Sequence, residues 1–137
     1  MMYPNLNTNV DMRERIIFGD KKYDKEKYPG GIRRFSGMSY DTLKQLVDNN
    51  FADVNDTQND SPSIEEFMEY AKTHPHVTFE GYAVELDRDD YRVSIETINQ
   101  DFSKDENRAG AIADFSEKFH AADEFIISEN RGHAWWD

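Results

Sequence analysis

A chain of 137 residues, 37% hydrophobic and 32% charged, with a formal net charge of −12, is the size of one domain with a modest core. The lack of cysteine excludes a disulfide framework and thiolate chemistry. The acidic balance argues against nucleic acid or an anionic membrane as the direct partner.

The charge is unevenly placed. Residues 51–137 hold 21 acidic and 7 basic side chains, whereas the first 50 hold 7 acidic and 9 basic. The 18 aromatic residues (9 Phe, 7 Tyr, 2 Trp) supply apolar area that the low aliphatic content lacks, so a small aromatic core is expected. No segment approaches the roughly 18 apolar residues that span a bilayer. Met1 to Val10 has neither a basic start nor an apolar run, so no signal peptide is expected and the compartment reads as cytoplasmic.

In chain order, residues 1–31 read as an extended arm. Met12 to Phe18 suits one strand or a short helical turn, and Asp20 to Gly31 is polar, alternating in charge and closed by Pro-Gly-Gly, a hinge signal. Residues 32–137 then read as a single domain. Ser39 is an N-cap, Leu43, Leu46 and Val47 mark one helical face, and Asn49-Asn50 is a stop. Asp53 to Asp60 reads as a solvated polar loop. Its alternating oxygens resemble a calcium loop, but the sixth position is Gln58 rather than Gly and the twelfth is Ile64 rather than Glu. Ser61, or Ser63 with Glu66 as a capping box, opens a helix striped by Ile64, Phe67, Met68 and Ala71 and ended by Pro75.

Val77 to Ile98 predicts a β-hairpin. Tyr82, Val84 and Leu86 alternate on one strand and Tyr91, Val93 and Ile95 on the next, around a four-residue loop Asp87 to Asp90. That loop sets Leu86 against Tyr91, Val84 against Val93 and Tyr82 against Ile95. A helix from about Asp105 to Ala121 follows, with Ile112, Phe115 and Phe119 inward. Phe125 to Ile127 is a strand, Glu129 to Gly132 a turn, and Ala134 to Trp136 a last strand. The fold class is α+β: a small antiparallel sheet, made of the central hairpin and C-terminal strands, packed with about three helices.

The chain carries no Gly-x-Ser-x-Gly, Walker loop or Gly-x-Gly-x-x-Gly, so no catalytic residue is assigned and the protein reads as a non-enzyme. His74-Pro75-His76 lacks a third metal ligand, and nothing in the spacing brings His120 or His133 to it. No metal or cofactor is expected. Carboxylates on one strand face or at i, i+4 on a helix lie about 6 to 7 Å apart and imitate a row of phosphates. Glu85, Asp87, Asp89, Asp90 and Glu96 at the hairpin, with Glu65, Glu66 and Glu69 on the second helix, are the candidate partner-binding acids. The alternative contact set is aromatic: Tyr23, Tyr28, Phe35, Trp135 and Trp136, serving an adaptor with no nucleic-acid mimicry.

Three strings, Arg33 to Met38 (RRFSGM), Asn59 to Phe67 (NDSPSIEEF) and Gly81 to Glu96 (GYAVELDRDDYRVSIE), resemble small acidic accessory proteins of phages and conjugative elements of Gram-positive bacteria. The resemblance covers about residues 30–100 and brings no catalytic residue with it. It implies an inhibitor of host defence. The expected function is therefore an anti-CRISPR protein that blocks the DNA channel of a CRISPR effector nuclease, or of another basic nucleic-acid-binding protein, by acidic DNA mimicry in the bacterial host.

Overall fold

The structure, a computed structural model, describes residues 5–137; residues 1–4 of the expected arm lie outside the described residues. Nine principal elements follow in order: α1 (Val10–Phe18), β1 (Ile32–Met38), α2 (Tyr40–Asp48), α3 (Ile64–Thr73), β2 (Val77–Val84), β3 (Val93–Asp101), α4 (Arg108–Phe119), β4 (Glu124–Ile127) and β5 (Arg131–Trp135). The strands form one antiparallel sheet in the order β1-β2-β3-β5-β4. The α+β class is as expected, with a fourth helix and an added edge strand. Among the described residues no helix is long and apolar enough to cross a membrane.

The helix starts follow from local chemistry. Ser39 accepts from the Thr42 N–H at α2, and Ser63 with Glu66 forms the full capping box at α3. Asn50, at φ 59°, follows α2 in the left-handed conformation that Asn tolerates. The apolar faces of α3 and α4 meet the sheet through aromatics: Phe67 against Phe79 and Trp136, and Phe115 against Phe102 and Phe125. On α4, Ala111, Phe115 and Phe119 are buried, while Ile112 is only half-buried and Ala109 is exposed.

The hairpin register differs from the expected one over half its length. Phe79 pairs with Ile98 and Glu80 with Thr97, as the alternation implies, but Gly81 pairs with Ile95, Tyr82 with Ser94 and Ala83 with Val93. Glu96 is the extra residue of a β-bulge. The shift flips the pairing by one residue, so Val84 no longer faces Val93, and residues 85–92 form a loop longer than four residues.

The expected extended arm is folded. Met12 to Phe18 belongs to a nine-residue helix capped by Asn9 and closed by Gly19 at φ 74°. The Arg33 guanidinium sits 3.6 Å from the Phe18 ring centroid, Phe18 packs edge-on to Phe35, and Arg13, Glu14 and Tyr28 are buried. Residues 25–31 form two 3-10 turns.

Candidate functional site

The expected acids fall into two groups with different fates. At the hairpin, Arg34 pairs with Glu96 at 2.5 Å, Lys25 with Asp87 at 3.1 Å, and Arg88 and Arg92 both hold Asp90, at 2.8 and 3.0 Å. Glu96 is only 9% exposed. Only Glu85 and Asp89 of this set have no ion-pair partner among the described residues. The basic N-terminal segment, read from sequence as separate from this loop, is what grips it. Gly31 O accepts the Glu85 N–H, Arg88 Nη1 donates to Gly30 O, and the Leu86 N–H points to Tyr23 Oη.

Behind the loop lies a polar network. Arg92 donates to Ser94 Oγ (2.7 Å) and Tyr82 Oη (2.7 Å), Tyr82 donates to Gln58, and Ser94 donates to Asp56 (3.1 Å). Asp56, expected in a solvated loop, is therefore buried against the sheet. Buried polar groups need such partners. The Asp90 carboxyl is held below the usual carboxylate range by its hydrogen bonds from Arg88 and Arg92. A lowered folded-state pKa stabilises the fold above about 3.8 and that contribution is lost as pH falls through the lowered value. Asp90→Asn should thus weaken the fold by roughly 0.5–1 kcal/mol at neutral pH and by progressively less as pH falls below about 3.8, read from urea midpoints across that range.

The second group keeps its charge outward. Glu65, Glu66 and Glu69 are exposed on α3. Helix α4 lies beside it, fixed by Phe67 on Phe119, by Tyr70 against Phe115 and Phe119, and by two polar ties, Glu66 to Lys118 (3.6 Å) and Asp114 to His74 (3.0 Å). It brings exposed Asp114 to the end of α3, where His74 holds it. Between the helices runs an open groove of about 430 Å³ lined by Glu65, Glu66, Glu69, Tyr70 and Lys118. The facing cations are Lys118 and Lys72, the latter bound to Glu69 at 2.8 Å, so the surface keeps an excess of negative charge. Sequence reasoning found the α3 half of this face. It missed Asp114 because which helix α4 would lie beside is a tertiary fact.

Of the alternative aromatic set, Tyr28 and Trp136 are buried, at 3% and 5% exposure, and are core rather than contacts. Tyr23, Phe35 and Trp135 are half-buried. Trp136 packs on Phe67 and Phe119. The four histidines do not converge. His74 stacks on Tyr70 at 3.8 Å, His120 bonds Ser116 O at the end of α4, His133 bridges Asn99 and Glu124, and His76 lines a separate groove.

No family model, curated protein or solved structure matches this chain. The α3–α4 surface is accordingly judged on its own geometry. It is a concave, carboxylate-rimmed strip suited to receiving Lys or Arg side chains.

Proposed function

We propose that the chain is a non-enzymatic inhibitor of a basic nucleic-acid-handling defence enzyme, acting stoichiometrically in the cytoplasm of a bacterial host. The target to test first is a CRISPR effector nuclease. The observation that carries the reading is the groove between α3 and α4, lined by exposed Glu65, Glu66 and Glu69, with Asp114 held on His74 at the end of α3. Glu65 and Glu69 are one helical turn apart, about 6 Å. A protein built to grip phosphates presents Lys and Arg in a channel, and this strip offers carboxylates in place of phosphates. The mobile-element resemblance of Arg33 to Met38, Asn59 to Phe67 and Gly81 to Glu96 supports the same class of target. The hairpin acids are secondary in this reading, since Glu96 is buried and two arginines hold Asp90, whereas Glu66 and Glu69 stay exposed beside single lysines.

The test is a cleavage assay against a panel of CRISPR and restriction nucleases with increasing inhibitor. The wild type should inhibit at near-equimolar ratio and lose potency as salt rises. Glu65→Lys combined with Glu69→Lys should lose about 100-fold in potency, whereas Asp87→Ala with Asp89→Ala should change it by less than about threefold. No inhibition across the panel overturns the reading.

A further inference from the structure

Among the described residues, the free edge of β4 is the one place where backbone valence and an exposed apolar side chain coincide. Strand β4 is terminal in the sheet and pairs only with β5. Which of its groups face outward follows from the ladder. Ser128 N–H donates to Arg131 O, so Ser128 and Arg131 form a hydrogen-bonded pair. Antiparallel pairs alternate, which makes Ile126–His133 and Glu124–Trp135 hydrogen-bonded and leaves Phe125–Ala134 and Ile127–Gly132 non-bonded. The other side of β5 agrees. Trp136 N–H bonds Glu96 O, and Phe102 N–H bonds Asn130 O, so the even-numbered residues of β5 face β3 and the odd-numbered ones face β4. The N–H and C=O of Phe125 and Ile127 therefore point out of the sheet. Ile126 between them is 53% exposed, and no other large apolar side chain among the described residues is exposed.

The opposite edge is protected in the ways natural sheets use. Strand β1 carries Arg33 and Arg34, an irregular register with Gly37 at φ 64°, and α1 packed against it. Strand β4 is short and begins at Glu124, but its ladder is regular and it carries no Lys, Arg or bulge.

We propose that β4 pairs antiparallel with β4 of a second copy about a two-fold axis through Ile126, joining two five-stranded sheets. The register is fixed by the outward groups. Only when Phe125 lies opposite Ile127 of the other copy, and Ile127 opposite its Phe125, do both outward residues of each strand meet outward residues and exchange four hydrogen bonds. That register brings Ile126 onto the partner's Ile126 and sets Glu124 opposite the partner's Ser128, with no like charges directly opposed. It also keeps Phe125 and Ile127 on the side that packs on the core, so the apolar layer continues across the joint. Two copies at −12 each repel, so the dimer tightens as salt rises, the reverse of the salt response of the acidic groove. The inference is independent of the proposed function.

The test uses the absence of cysteine from the chain. Ile126 pairs with its own copy at a non-hydrogen-bonded position, Cα atoms about 4.5 Å apart, within disulfide range. Ile126→Cys should crosslink into a covalent dimer on mild oxidation. Ser128→Cys should not, because its copies stand about 13 Å apart in this register. Sedimentation velocity should show concentration-dependent dimers for the wild type and a loss of at least about 30-fold in dimer affinity for Ile126→Lys. A wild type that stays monomeric at every concentration, an Ile126→Lys variant that dimerises unchanged, or crosslinking at residue 128 as readily as at 126 overturns the proposal.

Discussion

Gly81→Ala should destabilise the protein by roughly 3 kcal/mol, read as a lower urea midpoint at unchanged slope. A Cβ built on Gly81 would lie 1.9 Å from Ser94 O and 3.1 Å from the Ile95 Cα, both backbone atoms of the neighbouring strand. No rotamer relieves a clash with backbone, so the two central strands must separate by more than 1 Å or the bulge must dissolve. Either response breaks the ladder at the centre of the sheet. Losing the bulge also frees the Glu96 carbonyl that accepts the Trp136 N–H and the Glu96 carboxylate that holds Arg34. Gly37→Ala is the control. Gly37 has φ 64° and nothing within 4 Å of the added carbon, so only backbone conformation is charged, about 1–2 kcal/mol. A Gly81 variant no worse than the Gly37 variant would mean that the close approach is not what fixes Gly81.

The same bulge explains what could and could not be read from the sequence. The alternation of Tyr82 and Val84 with Val93 and Ile95 pointed to a hairpin, and residues 77–80 do pair in the register it implied. A period of two carries no mark for one inserted residue, and every pair beyond Glu96 shifts. Strand β1 was missed because Arg33, Arg34, Ser36 and Gly37 lack the apolar alternation of a half-buried strand. The capping box at Ser63 and the core positions Leu43, Leu46, Phe67 and Phe119 were legible because they depend on spacing alone. Asp56 was not, since its burial depends on Arg92 and Ser94 arriving from 36 and more residues away. For the candidate surface, residue type and helix phase gave Glu65, Glu66 and Glu69, while the pairing of Asp90 and Glu96 needed the third dimension.

Helix α1 was illegible for a related reason, which its strongest prediction exposes. Sequence rules place charges outside, yet Arg13 and Glu14 are both 0% exposed. Arg13 Nη2 donates to Tyr28 Oη at 3.1 Å, the Tyr28 hydroxyl donates to Glu14, and the guanidinium lies 4.8 Å from the Tyr91 ring centroid. Among the described residues Arg13 Nε and Nη1 and Glu14 Oε2 have no hydrogen-bond partner, and Glu14 Oε2 lies 3.8 Å from Arg33 Nη1. The cluster is therefore held by relayed charge and by the ring faces rather than by a bidentate pair, and desolvation holds the Glu14 carboxyl above its ordinary range despite the nearby cations. Removing Arg13 leaves buried Glu14 with only Arg33, 3.8 Å away, to offset its charge, so Arg13→Met should destabilise by about 3 kcal/mol. Arg13→Met combined with Glu14→Leu, apolar and close in volume, should recover to within about 1–2 kcal/mol of wild type, because the charge that was stranded is gone. The pH response separates this account from simple loss of packing. A carboxyl with a raised folded-state pKa opposes folding when ionised, and that penalty disappears as pH falls through the raised value. The deficit of Arg13→Met should thus shrink on going from pH 7 to pH 5, while a packing defect would be the same at both. Because Tyr28 leads directly into Gly30 and Gly31, whose carbonyls bind Arg88 and the Glu85 N–H, the same variant should also release the 85–92 loop. Faster amide exchange there, with the α3–α4 surface unchanged, would identify α1 as the clamp on that loop and leave the acidic groove free of it.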